Sequence, residues 1–354
     1  MILVLNAGSS SLKIEVFDEG LGTIISGRVT NLGTSGELKL GDSSEAVETR
    51  DHAQALELML AALEKAGYPL ATFAAAAHRI VHGGAVLTQP ARLRPPVIAT
   101  IESVIPLAPL HNPNNLAGVY ALQKLAPDLP QYCSFGTAFH ASNPEVATRY
   151  AIPQMHHDAG IRRYGFHGLS YANMVAEFGD KLPDHLLAFH LGNGASLCAI
   201  REGKSIATSM GYSPLSGLTM GTRSGDIDGA AVLRMSRSLG EDETDRMLNK
   251  NSGLQALAGD NNMKSLLERD DDAAKFAVEH FCYWAARHAG SAVVAMGGLD
   301  AVAFTGGIGE NAAPVRDRIM QLLSFLGDVP VHIITADEEK QIARDALALM
   351  AEGR

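Results

Sequence analysis

Ile2-Leu-Val-Leu5, Asn6-Ala-Gly-Ser-Ser-Ser11 and Leu12-Lys-Ile-Glu-Val-Phe17 follow one another without interruption. The first segment is continuously apolar, as a strand buried on both faces should be, and the last alternates as a half-buried strand. Between them lies a small-residue turn rich in main-chain N–H groups and hydroxyls. The pattern returns later: Leu186–Leu191 is apolar, Gly192-Asn-Gly-Ala-Ser196 is the small-residue turn, and Leu197–Arg201 is a second strand. An acidic residue and a glycine then close each unit, at Glu19-Gly20 and Glu202-Gly203. The echo predicts two related domains, each presenting a hairpin loop.

The rest of the chain extends this α/β reading. Thr23–Leu40 reads as further short strands, and Asp51–Ala66 as a helix with Asp51 as its N-cap. Ala74–Val81 reads as a strand running into His82-Gly83-Gly84. Leu116–Leu125 and Tyr171–Phe178 read as helices, and Asp271–Ala295 as a long one. Ala301–Thr305 is a short buried strand, followed by a glycine-rich turn at 306–311 and a helix starting near Pro314. Strands followed by helices in each half indicate an α/β architecture. No Pro/Ser-rich linker separates the halves, so a boundary is expected at a compact crossing near Phe139. The terminal helix, Ala336–Glu352, is expected to pack back on the first half.

Composition narrows the function classes. The chain has 354 residues, enough for about two domains. Its 29 Lys+Arg against 39 Asp+Glu give a formal charge of −10, which argues against non-specific nucleic-acid binding. An anionic small substrate is compatible with that field if a local cationic site exists. The cysteines at 133, 198 and 282 have no metal-binding spacing and read as buried thiols in a reducing compartment. Met1–Asn6 lacks the features of a signal peptide, and no apolar run has the length of a membrane helix. The expectation is a cytoplasmic, membrane-free protein.

Three glycine-rich turns follow strands, at 6–11, 192–196 and 306–311. Small residues let main-chain N–H groups approach phosphate oxygens. None matches GxxxxGK[ST]: Gly203-Lys204-Ser205 has Cys198 where the first glycine should stand. No GxGxxG fits either. Cationic residues stand in small-residue or aromatic company at His78-Arg79, His82, His111, Arg162-Arg163, His167 and Arg223. Met220-Gly-Thr-Arg-Ser-Gly-Asp226 sets Arg223 in a glycine-flanked loop, suited to bidentate binding of carboxylate or phosphate. The plainer reading, an Arg paired with Asp226 or Asp228, is equally open from the residues alone.

The stretches LVLNAGSSSLK (3–13), HRIVHGG (78–84), PLAPLHNPNNLAG (106–118), TAFH (137–140), GIRRYGFHG (160–168), HLGNGAS (190–196), TSMGYSPLSGLTMGTRSGDID (208–228) and FTGGIGEN (304–311) closely resemble the acetate kinase family, in its order and over nearly the whole chain. The resemblance implies two similar actin-like (ribonuclease H-like) α/β domains around a nucleotide-binding cleft. Their expected extents are 1–138 plus 337–354, and 139–336 with the nucleotide and dimer contacts. It also implies reversible transfer of a phosphoryl group from ATP to acetate, giving acetyl phosphate and ADP with Mg²⁺ or Mn²⁺, by a homodimer. Propionate is the competing acceptor, since one methylene in an apolar pocket discriminates by only ~1–3 kcal/mol.

By the same resemblance, Arg79 and Arg223 hold the acceptor and the moving phosphoryl group. His167 bonds the latter's equatorial oxygens, and His111 supports the acceptor. Val81, Leu110, Phe166 and Pro214 match the apolar acceptor pocket. Lys13, His190, Asn193, Gly194 and Gly307 match nucleotide-binding positions. Asn6, Ser9 and Ser11 match the phosphate and metal region. Glu338 is the candidate for a metal-site Glu, with Glu339 fitting almost as well.

The chain departs from the family pattern at several points. Gly136 stands where the family has Asp in Phe-Asp-Thr-Ala-Phe-His, so glycine there reads as a lost metal-orienting carboxylate. That opens the alternative of a catalytically impaired nucleotide-binding homologue. Lys264 and Asn262 replace Arg and Asp near the adenine, Leu169-Ser170-Tyr171 replaces Thr-Ser-His, and Gly229 replaces Pro. The chain is also shorter than typical members, mainly before the HRIVHGG stretch.

Overall fold

A computed structural model describes residues 1–8 and 10–353. The chain divides into two compact units, Met1–Ala138 with Asp337–Arg354, and Phe139–Ala336. Among the described residues the strands form two sheets, of eight and five strands, one in each unit.

In the first unit, β1 (Ile2–Ala7) and β2 (Ser11–Phe17) are the antiparallel hairpin read from the opening stretch, with Asn6 opposite Lys13. β3 (Thr23–Thr30), β4 (Ser35–Leu40) and β5 (Ser43–Glu48) continue the meander outward. On the other side β6 (Ala75–Ile80) adds parallel to β1. The short β7 (Ala91–Arg92) pairs antiparallel with β8 (Gln131–Phe135), which itself runs parallel to β6. The sheet order is β5-β4-β3-β2-β1-β6-β8-β7. Helices His52–Lys65 and Asn112–Leu125 close one face over Leu3, Leu5, Leu12, Ile14 and Val29, all essentially inaccessible to solvent. The C-terminal helix Glu338–Ala351 packs on β1, β6 and β8.

In the second unit, β9 (His185–Leu191) and β10 (Ala195–Arg201) form the echoing hairpin, extended by β11 (Lys204–Thr208). β12 (Ala301–Thr305) joins parallel to β9, and β13 (Val331–Ile333) joins parallel to β12. The order β11-β10-β9-β12-β13 repeats that of β3-β2-β1-β6-β8. The echo thus extends beyond one hairpin to the order of five strands. Helices Gly168–Phe178 and Asp272–Met296 cover this sheet, and the three cysteines are buried free thiols.

Local chemistry accounts for the boundaries. Asp51 and Asp271 cap their helices by accepting from the N–H groups of Gln54 and Ala274, and Asp337 caps the last helix through Lys340. The glycine-rich segment expected as a turn is different: Gly306–Asn311 is a short helix. Gly306 turns the chain off β12 at φ +80°, and a Cβ there would lie 2.7 Å from the Leu191 carbonyl. Glycine is therefore spent on the strand-to-helix corner, and the remaining residues coil. The helix predicted from Tyr171 begins at Gly168. A helix at Pro95–Ser103 has no counterpart in the reading above, because its two prolines look like breakers. They sit in its first turn, where proline lacks only an N–H that would be unpaired anyway.

Gly136 also requires a correction. Its N–H donates to the Ile80 carbonyl (2.9 Å), and a Cβ at this position would lie 2.9 Å from the Val81 carbonyl. Glycine here sits at a close approach of two main chains, a backbone reason for the residue that the motif alone does not reveal.

Candidate active site

The first unit gathers its polar candidates at the start of the C-terminal helix, where two successive glutamates face different partners. Glu338 Oε2 accepts from Arg79 Nε at 2.8 Å, with both side chains half-buried. Glu339, 5% exposed, accepts from Asn6 Nδ2 at 3.0 Å and pairs with Lys13 Nζ at 2.8 Å. Burial pushes the Glu339 carboxyl up, but the Lys13 charge and the Asn6 and Lys13 hydrogen bonds outweigh it and hold the group below its usual range. Burial likewise opposes the Lys13 ammonium, and Glu339 and Glu15 reverse the effect and hold it above its ordinary value. Oxygens of Glu15, Asp337 and Glu339 lie within 4.8 Å of one another. Lys13 reaches two of these carboxylates, so the chain supplies its own cation there.

Asn112 and Asn115 open the helix that follows His111, and sequence reasoning missed both. Asn115 Nδ2 donates to the Ala7 carbonyl (2.7 Å), while its Oδ1 accepts from the Val81 N–H (3.0 Å). One side chain thus clasps the ends of β1 and β6. Asn112 holds the His82 main chain in the same way, through both its N–H and its carbonyl. These residues place the loop after Asn6 and the acceptor candidate Val81. The only signal was their position in the Asn-rich stretch 112–115. Val81 is buried, whereas Leu110 is 62% exposed. His111 is half-buried, immediately before the helix. Ser11 lies at the start of β2, where its carbonyl accepts from the Gly8 N–H at 2.8 Å. Ser9 lies outside the described residues.

The second unit brings together His167, His190, Asn193, Gly194, Pro214 and Arg223. The His167 and His190 rings stack with centroids 4.1 Å apart. His190 Nδ1 lies 2.8 Å from Ser170 Oγ, and His167 Nδ1 lies 2.9 Å from Ser196 Oγ. A Cβ on Gly194 would lie 3.3 Å from His167 Nε2 and 3.5 Å from Arg223 Nη1. The turn after β9 therefore brings an imidazole and a guanidinium to the same small residue. Asn193 holds that turn to the Arg223 loop, its carbonyl accepting from the Gly221 N–H at 3.0 Å.

Arg223 Nη1 donates to the Pro214 carbonyl at 3.0 Å. The plainer pairing is absent: Asp226 accepts from the Gly217 N–H and faces His288, and Asp228 caps the helix Gly229–Leu239. Among the described residues Arg223 has no carboxylate partner, its bonds going to the Pro214 carbonyl and the Met220 sulfur, and burial pulls its guanidinium below its usual value. A desolvated cation without a counter-ion is suited to receive an anion. Phe166 is buried, and its carbonyl accepts from His140 Nε2 at 2.8 Å, fixing the main chain one residue before His167. Burial holds His140 neutral, with its pKa lowered to about 4. Asn193 and Gly307, of the positions matched to nucleotide contacts, line a cavity of about 590 Å³ together with Asn262 and Lys264, whereas His190 and Gly194 are not among its lining residues.

Residues 1–347 match the Acetokinase family. The chain belongs to this family. A Streptomyces coelicolor protein named acetate kinase is 40% identical over 395 residues, covering 99% of this chain and 97% of its own length. A Syntrophobacter fumaroxidans acetate kinase is 41% identical over 396 residues, covering 98% and 96%. The alignments are longer than this 354-residue chain, so the relatives carry insertions relative to it. The crystal structure of Porphyromonas gingivalis acetate kinase is similar with a TM-score of 0.92 and 33% identity over 99% of both chains. A propionate kinase from Francisella tularensis gives 0.92 and 34%, over 97% of this chain and 98% of that one. As in these acetate kinase family structures, the fold is mixed α/β with two actin-like domains.

Proposed function

We propose that this member of the acetate kinase family transfers the terminal phosphoryl group of ATP to a short-chain carboxylate, acetate first, reversibly giving an acyl phosphate and ADP. The observation that carries the reading is Arg223: a partly desolvated guanidinium without a carboxylate partner among the described residues, set beside His167 and the glycine turn.

Acetate has a pKa close to that of a free Asp or Glu side chain, about 4, so the nucleophile is already ionised at neutral pH. A general base is unnecessary. The barrier is repulsion between an anionic acceptor and a polyanionic donor, and catalysis requires cations and an in-line approach. Arg223 and Arg79 bind the carboxylate and the moving phosphoryl group, and His167 bonds its equatorial oxygens as charge spreads over them. His111 supports the acceptor, with Val81, Leu110, Phe166 and Pro214 enclosing its methyl group. Lys13, His190, Asn193, Gly194 and Gly307 hold the nucleotide, with Ser9 and Ser11 in the phosphate and metal region.

The donor set fits a small hard cation. Glu339 takes the Asn6 amide N–H, which leaves the Asn6 Oδ1 as an acceptor, and Arg79 engages only one oxygen of Glu338. Asn6 and Glu338 would hold Mg²⁺ or Mn²⁺, which when bound neutralises phosphate charge. Glu339, engaged by Lys13 and Asn6, supports that pair from behind.

The two compact units are read as the two domains, and the protein as a cytoplasmic homodimer joined through residues 139–336. Phe276, Tyr283 and Val294, spaced to share one face of the helix Asp272–Met296, are 57%, 50% and 82% exposed in the single chain and supply an apolar stripe. Light scattering at micromolar concentration should return twice the chain mass.

The rival reading, an impaired nucleotide-binding homologue, is motivated by Gly136. Hydroxylamine trapping of acyl phosphate, with acetate and propionate in parallel, separates the two. Turnover with either carboxylate supports the kinase, and ATP binding without any acyl phosphate would leave the impaired homologue.

A further inference from the structure

Behind His167 lie two hydroxyls that the transfer itself does not use. His167 Nδ1 is 2.9 Å from Ser196 Oγ, and that oxygen is 2.6 Å from the Tyr171 hydroxyl. Ser196 and Tyr171 are both 0% exposed, so neither can exchange its partner for bulk water. In a buried chain of this kind each hydrogen must be placed. The phenol hydrogen needs an acceptor. Besides Ser196, the His190 main chain bonds the phenol oxygen and favours its ionised form, as an N–H donor does, and the Cys198 thiol lies near enough to oppose that ionisation. The phenol therefore donates to Ser196 Oγ. The Ser196 hydrogen is then turned to the remaining neighbour, Nδ1 of His167. A neutral imidazole that accepts at Nδ1 carries its own hydrogen on Nε2. Nε2 is the atom that faces the Gly194 turn.

We infer that Tyr171 is a positioning residue which, through Ser196, holds His167 in its Nε2–H tautomer, so that the N–H is aimed at the phosphoryl group in transfer. The inference rests on the role proposed above for His167 and deepens it. The helix Gly168–Phe178 sets the geometry: Tyr171 lies one turn after His167, and its N–H donates to the His167 carbonyl at 3.1 Å. Phe139 stacks on the Tyr171 ring and His140 packs edge-on against it, which fixes the phenol in place.

This arrangement departs from the resembled pattern, which has histidine at the position of Tyr171. A histidine can donate or accept and can take up a proton near neutrality. The buried phenol keeps its one hydrogen, since burial holds its ionisation far above the ordinary value of 10, and here it serves as a donor. Titratable groups near His167 include the stacked His190 ring and Arg223 across Gly194. The contact of Nδ1 itself is the Ser196 hydroxyl. If His167 became an imidazolium, Nδ1 would have to donate to Ser196. The serine hydrogen would turn back on Tyr171 and strand the buried phenol hydrogen. The relay thus favours a neutral donor over a charged one.

The test is the side-chain nitrogen NMR spectrum of ¹⁵N-histidine-labelled protein, with His167 assigned by its loss in His167→Asn. The parent should show an unprotonated Nδ1 and a protonated Nε2. Tyr171→Phe, and Ser196→Ala as a second variant if the first folds poorly, should shift His167 towards the Nδ1–H form. In the kinase assay the same variants should lower kcat roughly three- to tenfold near pH 8 with little change in KM. The deficit should narrow on acidification, as protonation restores a hydrogen to Nε2. A parent already in the Nδ1–H form, an unchanged tautomer in both variants, or a deficit constant with pH would overturn the inference. Absence of acyl phosphate from the parent would instead count against the proposed function, while the NMR result would still decide the tautomer.

Discussion

The two units repeat one order of strands, β3-β2-β1-β6-β8 and β11-β10-β9-β12-β13, yet they furnish their hairpins with opposite chemistry. In the first, the polar candidates are already compensated: Lys13 by Glu339 and Glu15, and Arg79 by Glu338. In the second, the imidazoles of His167 and His190 rest on neutral hydroxyls, and Arg223 has a main-chain carbonyl where an anion would be expected. A duplicated scaffold fixes where loops emerge from a sheet. It does not fix their charge, and here one copy is closed by its own ion pairs while the other keeps a cation available.

The sharpest way to break this contrast is to remove the two arginines separately. Arg223→Ala should lower kcat by roughly 10²–10³-fold with little loss of melting temperature, because no ion pair is broken. Arg79→Ala should lower both, since it strands Glu338. Equal thermal losses in the two variants, measured by calorimetry, would contradict the asymmetry.

A second contrast concerns buried histidines, of which each unit hides at least one. His78 in the first and His140 in the second are both held near pKa 4 by burial, against 6.5 for the free side chain. The unfolded chain takes up these protons near pH 6.5, and the folded chain does so only near 4. Stability is therefore complete above pH 6.5 and falls as pH drops through that window, by on the order of 3 kcal/mol per histidine at its lower end. Urea unfolding between pH 8 and 5 should show the decline, and His78→Leu should make it shallower, with His82 and His140 keeping the remainder. A parent profile independent of pH over this range would refute the assignment.

The smallest expected effect tests the other departure of the first unit. Gly136→Asp introduces a Cβ 2.9 Å from the Val81 carbonyl, so it should cost ~1–3 kcal/mol and lower the melting temperature even if the carboxylate helps bind metal. A variant as stable as the parent would show that the β6–β8 approach relaxes freely.

Much of this was legible in the chain. Apolar runs bounded by small-residue turns located both hairpins, and the Asp caps and helical periods located the long helices, because those signals are local. The family motifs point to the candidate site residues for the same reason. The rest depends on contacts distant in sequence. Asn115 meets Ala7 across 108 positions, and Glu339 meets Asn6 across 333. No periodicity announces such pairs. Tyr171 looked like a mild departure in the family pattern until its hydroxyl was placed against Ser196, 25 residues away. Gly136 misled in the opposite direction: a missing carboxylate is visible in a motif, and a main-chain approach is not.

His167 itself sits at φ 57°, ψ 21°, the left-handed conformation, as it enters its helix. Only glycine, asparagine and aspartate adopt that conformation at small cost. Alanine at 167 would therefore lose an imidazole and take on backbone strain at once, and its kinetics would overstate what the ring contributes. Asparagine keeps the turn while shortening the donor, so the difference between His167→Asn and His167→Ala would separate the chemistry of this side chain from the bend that delivers it.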